Sequence, residues 1–393
     1  MKAGIHRIAS AGISRRFAGA AVLAALALSG VGASAQETIK IGALYSLSGS
    51  ASFLGVPEER GLRMRTEELN KAGGINGKKI ELVVYDTEGN GTKAAQQIRR
   101  LIDSDKVLAI VGPSSSGESL LVMSIANEAK TPLIAHAGAE KVISPVTPYV
   151  FNTPPNDRIV AAHLLSVFKK KGITQLGLLS SADGFGQSGS NVVKELAPQY
   201  GVTVARHEEF NRQDPDITAQ VLRVKDSPAQ AMLIWSALPA PTIIMKSAVA
   251  VGFNKPIYNS FAGATKDLLV QAGPAAEGTY VSSMRLLAPD TLKANDPVRS
   301  TVQKIYADYK AKYNDAPATF VAHSYDAMLI IEAAVKKVTG PLTRDKLRDA
   351  MEQVTVVGGN GIFKLSPTAH GLDPESQSMV LMVAKGGEWR VEE

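Results

Sequence analysis

The sequence predicts an α/β protein built of two doubly wound, Rossmann-like lobes. Three observations carry this. Short apolar runs alternate with amphipathic stretches of helical period, the rhythm of parallel sheets covered by helices. The rhythm runs twice, halting near Phe151 at the turn-rich Asn152-Thr153-Pro154-Pro155-Asn156 and then restarting. Runs such as Leu108-Ala109-Ile110-Val111 are apolar throughout, as strands buried on both faces require.

In chain order, strands are expected at 39–44, 80–85, 107–111 and 132–134, then at 176–179, 202–208, 231–235, 256–258 and 279–282. Helices are expected over 58–71, 93–104 and 119–128, then over 157–171, 188–200, 217–226, 242–251 and 265–272. After Ser283 the rhythm changes. Residues 297–340 read as two long helices, and 358–390 as strands and turns. Gly73-Gly74-Ile75-Asn76-Gly77 supplies a helix stop and a tight turn into the second strand.

The N-terminal segment reads as an export signal. Residues 1–35 carry four bases and no acid, then an apolar run over 18–28, and close on Ala33-Ser34-Ala35. Arg15-Arg16-Phe17 resembles a twin-arginine signal but lacks the usual spacer residue, so the segment is read as an ordinary secretory leader. The apolar run is too short to span a bilayer. Removing the leader leaves 358 of 393 residues, natural for two lobes. The net charge of +6 falls to +2, because 43 bases less 4 is 39 against 37 acids. Nucleic acid is therefore not an expected partner. The chain has no cysteine, which removes disulfides, thiolate metal sites and cysteine nucleophiles.

In open parallel sheets, ligands bind beyond the carboxyl ends of the strands. After the third strand stands Gly112-Pro113-Ser114-Ser115-Ser116-Gly117, where hydroxyls and free N–H groups at a helix start suit an anion. The bland alternative is that the serines cap the helix. After the fourth strand, His136-Ala137-Gly138-Ala139 offers small residues for close approach. Gly184-Phe185-Gly186-Gln187-Ser188-Gly189 is a formal G-x-G-x-x-G with Glu208 and Glu209 about 20 residues on. Its place in the second lobe of an exported chain argues for a loop presenting Phe185, not a dinucleotide site. The six histidines show no metal-ligand spacing, and no metal or cofactor is expected. His136 or His323 serving a nucleophilic Ser116 would make a hydrolase, but no G-x-S-x-G elbow is present.

The chain resembles the solute-binding proteins of ABC importers in the Leu/Ile/Val-binding family. The residues that carry the resemblance are Ile39-Lys40-Ile41-Gly42, Leu47-Ser48-Gly49, the stretch from Glu68 through Gly73-Gly74-Ile75-Asn76-Gly77 to Val83, Tyr85-Asp86, Gly112-Pro113, Asp183-Gly184-Phe185-Gly186, Gly273 with Ala276-Glu277-Gly278, and Ser324-Tyr325-Asp326-Ala327. The resemblance implies a class I periplasmic-binding fold with a three-crossing hinge. Lobe 1 would hold residues 38–155 and 285–357, and lobe 2 residues 156–284 and 358–393. It implies no enzymatic activity, a periplasmic location, a monomer, and an inner-membrane permease as partner.

By the same resemblance, Ser116 holds a ligand carboxylate with Ser114 and Ser115 beside it. Gly138 and Ala139 fall where a small residue and a hydroxyl residue are usual. Phe185 is the second lobe's aromatic contact. The acid that neutralises an amino acid's ammonium is expected where Phe261 stands. Leu54, Tyr45, His136, Trp235 and Ser236 complete the expected lining. With Phe185, Trp235 and Phe261 as an aromatic wall, the expected ligand is a small organic carboxylate such as a benzoate or phenylpropenoid. A branched-chain amino acid, a sensor role for the same fold, and an exported serine hydrolase are the alternatives.

Overall fold

Fourteen strands among the described residues divide into two open sheets and one short ribbon. The computed structural model describes Met1, residues 38–376 and residues 378–392. The expected export segment, Met1 apart, lies outside these residues. No helix among them is long and apolar enough to cross a membrane.

The first sheet has the order β2-β1-β3-β4-β5 and is wholly parallel. Its strands are β1 (Ile39–Tyr45), β2 (Ile80–Asp86), β3 (Ala109–Val111), β4 (Leu133–Ala135) and β5 (Val150–Asn152). Alternation along β1 sends Ile39, Ile41, Ala43 and Tyr45 to one face and Leu44 to the other. The first face packs on α1 (Ser52–Lys71) and α10 (Val321–Lys337) through Leu62, Ile330 and Ile331. The second packs on α2 (Gly91–Asp103) and α3 (Ser116–Glu128) through Ile98, Leu101 and Val122. Both faces are thus covered, which explains the all-apolar strands.

The second sheet repeats the plan. Read from the opposite edge its order is β7-β6-β8-β9-β10-β13-β14. Here β6 is Gln175–Ser181, β7 Thr203–Phe210, β8 Ala231–Trp235, β9 Ile257–Asn259 and β10 Tyr280–Met284; β13 (Met379–Lys385) and β14 (Glu388–Val391) join antiparallel. Helices α4 (Asp157–Lys170), α5 (Gly184–Leu196), α6 (Thr218–Lys225), α7 (Ala240–Ala250) and α8 (Lys266–Ala272) flank it. The five parallel strands of each lobe run 2-1-3-4-5, so both lobes have their switch point beside their first strand, where ligand crevices form. The fold is the class I two-lobe plan that the sequence predicted.

The chain passes between lobes after β5, after β10, and between Leu372 and Met379. The last crossing differs from the expected one near Gly358. The ribbon of β11 (Thr355–Val357) and β12 (Ile362–Lys364) belongs to the first lobe, whose core includes Phe363, Leu365 and Leu372. Asp326 on α10 holds the ribbon's turn, accepting from the N–H groups of Gly359 at 2.7 Å and Asn360 at 2.8 Å. Residues 358–372 are therefore first-lobe structure, and only β13 and β14 of the C-terminal part enter the second sheet. Helix α1 begins at Ser52 rather than Glu58, carrying Pro57 within it. Helices α9 (Arg299–Tyr313) and α11 (Arg344–Met351) complete the first lobe's outer layer.

Candidate functional site

A cavity of about 40 Å³ lies between the lobes at the carboxyl ends of their strands. From the first lobe it is lined by Leu54, by Ser114, Ser115 and Ser116 after β3, by His136 and Gly138 after β4, and by Phe320 and His323 at α10. From the second come Phe185 after β6, Arg212 after β7, Ala237 after β8, and Phe261 and Ala262 after β9. The space takes a few waters. Two larger hollows lie elsewhere. One, of about 420 Å³, is at Asn156, Arg158, His163 and Arg285; the other, of about 940 Å³, is a groove at Phe53, Arg60, Leu238, Thr265 and Trp389. Neither includes the serine loop.

The lobes touch directly. Glu140 donates its N–H to Ser188 Oγ at 3.2 Å, and Gln213 Nε2 donates to Ser50 Oγ at 3.2 Å. Gly138 is one point of close approach. A Cβ there would stand 2.6 Å from Phe185 Cε2 and 3.1 Å from Phe261 Cε1. Any larger residue would force one or both rings to shift before they could close on this loop.

Each of the three serines has a separate role. Ser115 caps α3, accepting from Glu118 N at 3.3 Å and donating to Glu118 Oε2 at 2.6 Å. Ser114 Oγ accepts from Ser46 N at 3.2 Å. Ser116 Oγ accepts from Ala139 N at 3.1 Å, tying the two loops together. No acceptor among the described residues takes the Ser116 hydroxyl proton, so it is free to donate to a ligand oxygen. The start of α3 adds its unpaired N–H groups. Glu118, buried in its first turn, weakens the positive field there.

Behind the first-lobe lining lies a buried cluster. Glu58 Oε1 is 3.2 Å from His323 Nδ1, in hydrogen-bond geometry, and 3.3 Å from His136 Nδ1, outside it. Burial pushes the Glu58 carboxyl up to about 7 despite the stabilising His323 contact. Burial likewise drives His136 down to about 3 and lowers His323, against the pull of Glu58. Both imidazoles are therefore neutral at pH 7: desolvation outweighs the mutual attraction. Along the chain the histidines show no metal-ligand spacing. The fold nevertheless brings Glu58, His136 and His323 together, their ligand atoms within 4.8 Å of one another.

Eight of the twelve expected residues line the cavity: Leu54, Ser114, Ser115, Ser116, His136, Gly138, Phe185 and Phe261. Four do not. Trp235 is fully buried behind Phe185, with ring centroids 6.2 Å apart, and its indole sits against Gly189. A Cβ at Gly189 would fall 1.9 Å from Trp235 Nε1, so this glycine serves helix–sheet packing. Tyr45 is also buried; its hydroxyl bonds Ser324 Oγ at 2.8 Å, and its ring stacks on His136. Ser236 turns to the Ala237 carbonyl, and Ala139 contributes its N–H to Ser116. The aromatic wall is thus Phe185, Phe261 and Phe320. The G-x-G-x-x-G stretch opens α5, capped by Asp183 on the N–H groups of Phe185 and Gly186. Its distant acid Glu208 is paired with Arg206 and Arg223. No hydrogen bond among the described residues joins Ser116 to a histidine, so the arrangement needed to activate a serine is not assembled.

Arg212 is the one charged side chain that lines the cavity, and sequence reading missed it. Its guanidinium Nε lies 3.5 Å from Asp183 Oδ2, and it remains partly exposed. The rule that led to the loops after β3, β4 and β6 would have found it after β7. Phe320 and His323 carry no such local signal.

A cleft lined from both of two hinged, doubly wound lobes is that of a solute-binding protein. The chain belongs to the periplasmic binding protein family, whose family model matches residues 38–388. It is similar to the leucine-, isoleucine-, valine-, threonine- and alanine-binding protein of Pseudomonas aeruginosa, 24% identical over 360 residues and 90% of each chain. It is similar also to Leu/Ile/Val-binding protein homolog 7 of Brucella abortus (strain 2308), 26% identical over 86% of each. Among solved structures, an extracellular ligand-binding receptor from Rhodopseudomonas palustris HaA2 is 29% identical with a TM-score of 0.83, covering 91% of this chain and 100% of that one.

Proposed function

We propose that this chain is the exported solute-capturing component of an ABC importer. It closes its two lobes on a small organic carboxylate, an aromatic acid such as a benzoate or phenylpropenoid, and delivers it to an inner-membrane permease. The supporting observation is the charge of the lining. Ser116 and the α3 start offer donors on one side, Arg212, which is shared with Asp183, offers a cation on the other, and no carboxylate among the described residues lines the space between. At the position where an ammonium would need its counter-ion stands Phe261.

The magnitudes favour an acid without an amine. Enclosing an ammonium with no partner costs on the order of several kcal/mol. Cation–π contact with phenylalanine rings returns only about 0.5–2 kcal/mol. A carboxylate gains charge-assisted bonds of roughly 1.5–3 kcal/mol each.

A second reading, a branched-chain or other amino acid, is supported by the names of the relatives. The Pseudomonas aeruginosa and Brucella abortus relatives are named for such amino acids and neither for an aromatic acid, so the comparisons favour this reading over the first. A thermal-shift panel separates the two. For micromolar binding, roughly −8 kcal/mol, ligand at 100-fold excess over Kd adds about 2.7 kcal/mol. At roughly 2.1 cal/mol/K per residue this raises Tm by about 4 °C. Benzoates or phenylpropenoids are expected to produce that shift and leucine none; the reverse pattern establishes the second reading.

A further inference from the structure

We propose that Glu58, His136 and His323 form a binding site for one divalent transition-metal ion on the first-lobe floor of the cavity. The three residues come from the body of α1, the loop after β4 and the first turn of α10. Their side chains are buried, and the two histidines also line the cavity.

Two of the three spacings are those of a metal's ligands, and the third is within 4.8 Å. Ions of this class hold imidazole nitrogen and carboxylate oxygen at about 2.0–2.2 Å, so tetrahedral ligands stand roughly 3.3 Å from one another. The Glu58 oxygen is 3.3 Å from one imidazole nitrogen and 3.2 Å from the other. A hydrogen-bonded cluster has similar distances, but it would satisfy its members. Here both nitrogens of His136 and Nε2 of His323 have no hydrogen-bond partner among the described residues, although all are buried. Three orphaned polar atoms on two neighbouring imidazoles are more than native interiors leave without a reason. An ion held by Glu58 Oε1 and the two Nδ1 atoms would take up the orphaned Nδ1 of His136, the atom that the bond between Glu58 and His323 leaves out.

The donor set selects the ion's class. Two imidazoles and one carboxylate suit zinc, cobalt, nickel or copper; magnesium and calcium prefer all-oxygen sites. Three protein ligands leave a position open, and two of the three, His136 and His323, line the cavity. That this position takes an oxygen of the captured solute rests on the function proposed above. Ion uptake itself does not, and is measured with no organic solute present.

The full chain, purified and stripped with chelator, is titrated with Co²⁺ and followed by visible absorption, with Zn²⁺ stoichiometry measured in parallel. The expected result is one ion per chain, with intense d–d bands of four- or five-coordinate cobalt. In His136→Gln and His323→Gln those bands are lost and affinity falls more than about 100-fold, beyond the loss seen for outer-sphere changes. If either variant fails to fold, the stoichiometry and band intensity of the unaltered chain decide alone. No uptake, pale octahedral bands, or uptake unchanged in both folded variants overturns the proposal. Binding of benzoate with no metal uptake overturns this site and leaves the function above standing.

Discussion

Substituting Gly138 by alanine isolates the closure step. Gly138 has no positive φ, so the backbone accepts alanine without strain. The added methyl would stand 2.6 and 3.0 Å from two atoms of the Phe185 ring and 3.1 Å from the Phe261 ring. The nearest of these is about 1 Å inside ordinary carbon contact. Overpacking of this degree costs about 1–3 kcal/mol. Both rings belong to the second lobe, so the cost falls on the closed form and not on either lobe's own core. The closure equilibrium, and with it solute affinity, is expected to weaken by roughly 5- to 150-fold. The Tm of the solute-free protein should change by less than about 1 °C. Isothermal titration with whichever acid shifts the unaltered protein reads the first number, and calorimetry the second. Unchanged affinity would show that the lobes do not meet at Gly138 when solute is bound. An equal loss of Tm would place the damage inside the first lobe.

Two further predictions follow from buried groups. In Ser116→Ala the Ala139 N–H loses its acceptor, costing about 1–3 kcal/mol of stability; solute affinity should fall about tenfold or more, with no ester turnover to lose, and retained affinity would remove Ser116 from the site. Burial holds the Asp326 carboxyl up at about 7 in the folded chain, against 3.8 unfolded. Because the folded value is the higher, its stabilising effect is full below about pH 4 and is lost as pH rises through 7. On the order of 4 kcal/mol is involved. Asp326→Asn has no such dependence, so urea titrations at pH 5 and pH 8 should show the variant gaining on the unaltered protein at the higher pH; a constant difference refutes this.

The parallel strands were legible because each is an apolar run bounded by turn residues, and β8 was read to the residue. β5 was not. It is three residues long, Val150–Asn152, and follows a loop without periodicity. The last crossing misled because Gly358 looks like a boundary, whereas Phe363 and Leu372 return the chain to the first core. In the site, residues found were those on loops directly after strands. Trp235 was misplaced because strand alternation gives its face but not the layer of packing between it and the cavity. Glu58 and His323 lie on helices and Phe320 at the cap of one, and only the tertiary fold brings them to the cleft.

The account depends on an anionic solute with no positive charge to neutralise. Mass spectrometry of the small molecule released by denaturing freshly purified protein tests this most directly. The expected species is an organic acid without an amine, present at up to one per chain. Recovery of leucine, isoleucine or another amino acid at that ratio would contradict it.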